Sequence, residues 1–154
     1  MGSNLGDREG YLRWAIEVLD AGGFSTSASS DLYETQPVEC GPQAPYLNQV
    51  LIGTACVPAG LLLAFCQRVE REAGRRPRQR HGPRTLDVDL LFLGNTAIKT
   101  PGLTLPHPAI PRRRSILVPL ADVAPRWRHP RLGKNVLELL AECKDPGWVK
   151  RWRG

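Results

Sequence analysis

Two acidic residues, Asp87 and Asp89, lie two positions apart in an apolar segment whose composition predicts a buried strand. Alternate side chains of a strand point to the same face, so these carboxylates are expected to lie side by side. A buried pair of like charges is unfavourable unless a cation neutralises it. Mg²⁺ takes hard oxygen ligands, usually one or two carboxylates together with phosphate oxygens of a substrate. The pair therefore predicts a magnesium site for phosphoryl-group chemistry.

An arginine-rich loop directly precedes this segment. Its ten residues contain five arginines: Arg75, Arg76, Arg78, Arg80 and Arg84. Guanidinium groups bind phosphate oxygens through two parallel hydrogen bonds and keep their charge at neutral pH. A solvated surface charge is the alternative reading of any single arginine. So many of them beside Gly74 and Gly82 predict instead a mobile loop that closes over a bound nucleotide.

The composition is that of an ordinary globular protein. Of its 154 residues, 42% are hydrophobic and 23% are charged, and the formal net charge is +6. This charge suits a polyanionic partner, either nucleotide phosphates or nucleic acid. The four cysteines form no C-x-x-C pair, so reduced thiols are expected rather than zinc or disulfides. No apolar run approaches the ~18 residues of a membrane span, and no secretory signal is present, which predicts a cytoplasmic protein without membrane contact.

Hydrophobic periodicity and turn residues predict the order of the elements. The predicted helices cover about residues 7–21, 58–74 and 135–143, and the predicted strands cover about 25–34, 46–56, 85–93 and 115–118. Four prolines predict mostly loop over 99–114. The order predicts one α+β domain over residues 1–154, close to a ferredoxin-like sandwich that lacks its first strand.

Five blocks of sequence resemble one known family in their order and spacing. They are Gly2-Ser3-Asn4-Leu5-Gly6-Asp7, Tyr33-Glu34-Thr35-Gln36-Pro37 with Tyr46-Leu47-Asn48, Gly74-Arg75, Arg80-His81-Gly82-Pro83-Arg84-Thr85-Leu86-Asp87-Val88-Asp89-Leu90-Leu91, and Leu105-Pro106-His107-Pro108. The family is that of 6-hydroxymethyl-7,8-dihydropterin pyrophosphokinase, a folate-pathway enzyme. The resemblance implies a ferredoxin-like α+β sandwich with an antiparallel sheet. It also implies transfer of pyrophosphate from ATP to the hydroxymethyl oxygen of the pterin, with release of AMP, by a monomer that binds small molecules and no nucleic acid.

The resemblance further implies roles for individual residues. Asp87 and Asp89 would hold two Mg²⁺ ions against the phosphates of ATP. The other implied catalytic residues, which bind or support the phosphates, are Arg75, Arg84, His107 and Arg113. The implied ATP contacts are Leu63, Gln67, Glu70, Leu90 and Thr104. The implied pterin contacts are Thr35, Val38, Tyr46 and Asn48, with Tyr46 stacking on the ring.

Some of these residues also have plain structural readings. Gln67 and Glu70 lie one helical turn apart, and an exposed helix face explains such a pair as well. Tyr46 and Asn48 share one face of a strand, where a tyrosine is also a common core residue. His107 between two prolines is equally consistent with an ordinary loop histidine.

Three departures from the family pattern carry expectations of their own. An apolar strand precedes Gly-Ser-Asn in the family, whereas Met1 stands there in this chain, and we expect the true start to lie upstream. Ser115 replaces a phenylalanine that forms the second face of the pterin sandwich, so affinity for the pterin should fall unless another ring such as Trp127 substitutes. His81 replaces a tryptophan, which weakens the apolar anchoring of the closed loop.

Two other functions remain open at this point. The basic charge and the arginine loop also suit a nucleic-acid-binding α+β module, although the strands lack the paired surface aromatics of RNA-binding sheets. A degenerate family member that binds nucleotide without turnover is the other possibility.

Overall fold

The computed structural model describes residues 1–38, 41–75 and 82–154. Within these residues the helices are α1 (Arg8–Ala21), α2 (Ala59–Glu72), α3 (Arg114–Val123) and α4 (Val136–Glu142), with a 3₁₀ turn at Ile110–Arg112. The strands are β1 (Gly2–Ser3), β2 (Phe24–Ser29), β3 (Tyr33–Thr35), β4 (Tyr46–Asn48), β5 (Leu51–Ala55), β6 (Ile98–Lys99), β7 (Thr104–Leu105) and β8 (Val149–Arg151). The predicted α+β class with antiparallel pairing is confirmed. None of the helices in the described residues is long and apolar enough to cross a bilayer.

Helices α1 and α2 form as the apolar spacing predicts. The Asp7 carboxylate caps α1 by accepting a hydrogen bond of 2.9 Å from the Gly10 backbone N–H. Leu12 and Leu19 of α1 and Val69 of α2 are buried on facing stripes. These side chains, with Leu47 of β4, form a first apolar core.

Strand β4 lies inside a four-stranded antiparallel sheet whose order is β1-β4-β3-β8. Asn48 of β4 is paired with Gly2 on one side and with Tyr33 on the other. Strands β2 and β5 form a separate two-stranded sheet, as do β6 and β7. The interior position of β4 fixes Tyr46 and Asn48, two residues apart, on one face of the sheet.

We expected the first strand of the sheet to be missing; β1 comprises only Gly2 and Ser3, and it pairs with β4. Beside it, an apolar cleft separates β5 from the extended segment 88–93. Met1, Leu51 and Leu90 are among the residues that line this cleft. The four-stranded sheet and the β2–β5 sheet remain separate.

The prediction of a strand over 85–93 is only partly correct. Asp87 forms the single β-bridge of this segment, with Gly2, and two backbone hydrogen bonds of 2.8 Å join these residues. Beyond Asp87 the apolar cleft lies where a pairing strand would be, so no ladder continues. The alternation of side chains nevertheless holds, because Leu86 and Val88 are buried in the first core while Asp87 and Asp89 point away from it.

The prediction of a strand over 115–118 is wrong, because these residues belong to α3. Leu117 and Leu120 of α3 are fully buried together with Ile110 and with Val136 of α4, in a second apolar core. The short apolar run that begins at Ile116 has no clear period in the sequence, so it did not distinguish a helix from a strand. The predicted terminal helix is confirmed as α4, which Asn135 and Glu138 start with a capping box.

We predict that Leu86→Ala destabilises the protein by about 2–5 kcal/mol, because Leu86 is fully buried and its truncation leaves a cavity. Chemical denaturation measures the change in the free energy of unfolding. The matched control is Leu137→Ala on α4, where the leucine is 52% exposed and little should change. Equal effects of the two substitutions would contradict this account of the core.

Candidate active site

One cleft at the edge of the four-stranded sheet collects most of the residues singled out in the sequence. Its lining includes residues from β1, β3, β4, the segment after Gly82 and the start of α3. The predicted site residues that line it are Thr35, Val38, Tyr46, Asn48, Arg84, Asp87, Asp89 and Arg113. Acidic, basic, amide and aromatic side chains from distant parts of the chain thus line one cleft.

The two carboxylates differ in their surroundings. Asp87 is half-buried and forms ion pairs with the guanidinium groups of Arg75, at 2.8 Å, and Arg84, at 2.6 Å. Asp89 is exposed to the cleft, and within residues 1–38, 41–75 and 82–154 it has no ion-pair partner. One carboxylate is therefore neutralised by two cations, and the other is open to a ligand.

Glu70 of α2 extends this set of ion pairs, because it also contacts Arg75. Its side chain is buried, and its Oε1 atom accepts a hydrogen bond of 2.8 Å from the backbone N–H of Val88, between the two aspartates. The same carboxylate forms an ion pair with Arg75. Burial raises the pKa of Glu70, and the Val88 N–H and the Arg75 charge act in the opposite direction. Glu70 thus fixes both the Asp87–Asp89 backbone and one of the arginines.

Asn4 positions part of the cleft, a role that the sequence did not assign, although the residue belongs to the Gly2-Ser3-Asn4 block. It is buried, and its amide donates hydrogen bonds to Gln43 Oε1, at 2.8 Å, and to the Ala44 carbonyl, at 3.1 Å. Its Oδ1 atom accepts from the backbone N–H of Arg84 at 2.7 Å. Asn4 therefore ties the arginine-bearing segment to the loop before β4.

The part of the lining that strands β3 and β4 contribute is suited to a flat polar ring. The Asn48 amide donates a hydrogen bond of 2.7 Å to Thr35 Oγ1, which fixes the orientation of its side chain. A Cβ atom on Gly2 would lie 2.5 Å from Asn48 Oδ1, so any larger residue at this position would displace the Asn48 side chain. Tyr46 is the aromatic residue of the described lining, and Ser115, Ile116 and Pro119 form a wall of the same cleft.

Trp127 does not supply the second ring that Ser115 lacks. It stacks on Phe92 with a centroid separation of 4.1 Å and belongs to the second core. The described cleft therefore has an aromatic surface on one side only.

Other predicted residues lie outside this cleft. Leu63, Gln67 and Thr104 line neither it nor the apolar cleft, and Leu90 lines the apolar cleft. His107 lies next to Leu91, whose carbonyl accepts its backbone N–H at 2.7 Å. The His107 Nδ1 atom accepts from the Ala109 N–H at 3.2 Å, so in the neutral ring Nε2 carries the proton and is a donor. The roles of these residues stay predictions.

The predicted closure of the arginine-rich loop cannot be located, because most of that loop lies outside the described residues. The residues concerned are Arg76, Arg78, Arg80 and His81. Arg75 and Arg84, at the two ends of that loop, are described. Both guanidinium groups contact Asp87, so the arginine at each end of the loop is paired with the same carboxylate.

The donor atoms of the cleft fit a divalent cation that is shared with a substrate. In the described residues no group of three or more His, Cys, Asp or Glu side chains could hold a metal ion alone. A cation at Asp87 and Asp89 would thus need oxygen ligands from a bound molecule. The Arg84 Nε atom is buried and has no hydrogen-bond acceptor in the same described residues, which suits an anionic oxygen of that molecule.

Comparison with known proteins identifies the family. Residues 1–125 match the family model described as 7,8-dihydro-6-hydroxymethylpterin-pyrophosphokinase (HPPK). The chain belongs to this family. It is 41% identical over 125 residues to the 2-amino-4-hydroxy-6-hydroxymethyldihydropteridine pyrophosphokinase of Bacillus subtilis, which covers 80% of this chain and 74% of that protein. It is 36% identical to the Aquifex aeolicus protein of the same name, over 92% of this chain and 88% of that protein.

Larger relatives contain the same unit as one part. The mitochondrial folate synthesis bifunctional protein of Arabidopsis thaliana is 37% identical over 80% of this chain, but the match spans only 22% of that protein. The chain thus covers about three quarters or more of the two bacterial relatives and about a fifth of the plant one.

We predict that Asn4→Ala lowers the free energy of unfolding by about 1–3 kcal/mol, because it leaves the buried N–H of Arg84 without its acceptor. Urea denaturation measures the loss. Asn95→Ala is the control, since Asn95 is exposed in a turn. If Asn4→Ala proved as harmless as the control, Asn4 would not organise this end of the cleft.

Proposed function

We propose that the cleft transfers pyrophosphate from ATP to 6-hydroxymethyl-7,8-dihydropterin, giving the pterin diphosphate and AMP for folate synthesis. Membership of the HPPK family and the names of the bacterial relatives support this reaction. The observation that carries the proposal is the single cleft in which Asp87 and Asp89 face Tyr46 and Asn48. A phosphate-binding end and a ring-binding end are the two subsites that this reaction needs.

In the proposed reaction, the hydroxymethyl oxygen of the pterin attacks the β-phosphorus of ATP. The bond from the β-phosphorus to the α–β bridging oxygen breaks, AMP leaves with that oxygen, and the proton of the hydroxymethyl group is released to solvent. We assign no general base among the described residues. Alignment of the two substrates and neutralisation of phosphate charge account for the acceleration.

The proposed role of Asp87 and Asp89 is to hold two Mg²⁺ ions. Such ions neutralise the charge that spreads over the transferring phosphate oxygens. The Asp87 carboxylate is already bordered by Arg75 and Arg84, so the guanidinium groups lie where phosphate oxygens would meet the carboxylates. Their fork geometry suits two phosphate oxygens each. Arg113, at the start of α3, would approach from the other wall.

The proposed role of the other end is to bind and orient the pterin. Tyr46 would stack on the bicyclic ring, and Asn48 would present its remaining hydrogen-bonding groups to the polar edge of the ring. Thr35 fixes the Asn48 amide, which selects one orientation of that edge. The substrates are small molecules, so the proposal requires neither nucleic acid nor a second copy of the chain.

We predict that Asp87→Ala and Asp89→Ala each lower AMP release about 100-fold or more, because metal-ion stabilisation of the transferring phosphate is worth several kcal/mol. The measurement is AMP formation with the pterin, Mg²⁺ and ATP. Asp89→Ala should also leave the unfolding midpoint unchanged, since Asp89 is exposed and has no ion pair in the described residues.

The control for this pair is Asp31→Ala. Asp31 is exposed, and its ion-pair partner among the described residues is the exposed Arg151, a surface interaction of small energetic weight. Its loss should leave AMP release near the wild-type level. Near-normal AMP release by both Asp87→Ala and Asp89→Ala would contradict the proposed metal-binding role.

We predict that Ser115→Phe lowers the KM for the pterin about tenfold, which corresponds to ~1.4 kcal/mol. Ser115 lines the cleft that contains Tyr46, and a phenylalanine there would add a second aromatic surface to the ring. Steady-state kinetics at saturating ATP measure the change. Ser25→Phe, on an exposed position of β2, is the control. An unchanged or higher KM in Ser115→Phe would show that this wall does not contact the ring.

A further inference from the structure

The N-terminus of α3 lacks a cap from its own sequence. Arg113 occupies the N-cap position, and its side chain makes no capping hydrogen bond. Instead the backbone N–H of Arg114 donates a hydrogen bond of 2.9 Å to Oδ2 of Asp145, which lies 31 residues further along the chain. A carboxylate at this end of a helix accepts an unpaired N–H group and is favoured by the helix dipole.

The same aspartate also shapes the segment that follows it. Asp145 Oδ1 accepts a hydrogen bond of 2.9 Å from the Gly147 backbone N–H, which fixes the turn into β8. Both carboxylate oxygens of the half-buried Asp145 are therefore used within the protein.

The segment after this turn is fastened to the other wall of the cleft. The Gln36 backbone N–H donates to the Trp148 carbonyl at 3.1 Å, and the Trp148 N–H donates to Gln36 Oε1 at 3.3 Å. Val149 then pairs with Thr35 in the sheet. Four consecutive residues, 145–148, thus link the start of α3 to the strand end that carries Thr35.

Both of the linked elements line the cleft, whereas Asp145 does not. Arg113 and Ser115 at the start of α3 form one side, and Thr35 and Gln36 form part of another. The linking segment lies beyond residues 1–125, which match the family model.

We propose that Asp145 is a positioning residue that sets the distance between these two walls and thereby the fit of the pterin. The carboxylate holds the first turn of α3 in place, and the turn it forms with Gly147 carries that constraint to Gln36 and Thr35. This proposal deepens the proposed function and rests on it for the identity of the ligand. Asp145 contacts no substrate and acts through Arg114 and Gly147.

The test compares three full-length variants by steady-state kinetics. Asp145→Ala should raise the KM for the pterin by up to about thirtyfold, the range given by the loss of a helix cap, with a smaller change in kcat. Asp145→Asn keeps one acceptor oxygen and therefore one of the two hydrogen bonds, so its KM for the pterin should lie between those of wild type and Asp145→Ala. Asp7→Ala removes a cap of the same bond length from α1, which lines neither wall, and should lose similar stability without a change in KM.

Amide hydrogen exchange of the ligand-free protein provides a second readout. In Asp145→Ala the amides of Arg114 and Gln36 should both exchange faster, and in Asp7→Ala neither should change. The proposal is overturned if the KM for the pterin is unchanged in Asp145→Ala, if Asp7→Ala raises it equally, or if Asp145→Asn is as impaired as Asp145→Ala. It is overturned as well if Gln36 keeps its protection in Asp145→Ala.

The exchange readout separates this proposal from the proposed function. Wild-type protein that releases no AMP with pterin, Mg²⁺ and ATP would refute the proposed function. Faster exchange at both Arg114 and Gln36 would then still support the link between the walls, and unchanged exchange at Gln36 would refute it.

Discussion

The position of the segment Leu86–Leu91 between two apolar cores decides where its carboxylates point. Leu86 and Val88 are anchored in the core under α1 and α2, and Leu91 packs against the core of α3 and α4. Alternate side chains of an extended chain share a face, so anchoring Leu86 and Val88 in the first core turns Asp87 and Asp89 to the opposite face, which also carries Leu91 and lines the cleft. The orientation of the acidic side chains is therefore a consequence of apolar packing on the opposite face.

Charge balance around Asp87 follows from this position. Glu70, Arg75, Asp87 and Arg84 alternate in sign along a chain of ion pairs, and the Val88 N–H adds a hydrogen bond to Glu70. Half-buried charges of this kind are tolerated only when they are paired. Both arginines contact Asp87, so moving either guanidinium group away would leave this carboxylate with one ion pair instead of two.

Much of the site could be predicted from local sequence, and the limits have physical causes. The two-residue spacing of Asp87 and Asp89 gave their common face, because side-chain alternation needs only an extended backbone. The absence of a ladder over 85–93 could not be predicted, since strand pairing depends on a neighbouring strand that is distant in sequence. The helix at Ser115 was missed because a short apolar run has no clear period. The cap from Asp145 depends on a tertiary contact that no local pattern encodes.

The alternation of Leu86–Leu91 also limits how this stretch of chain can change in length. Adding or removing a single residue between Arg84 and Leu91 would exchange the two faces and drive the acidic side chains into hydrocarbon. Length variation in related sequences should therefore concentrate before Gly82, while the spacing from Arg84 to Leu91 stays constant. The number of residues in this segment therefore determines which side chains face the cleft. The buried Leu86 and Val88 fix that register, and the two aspartates follow from it.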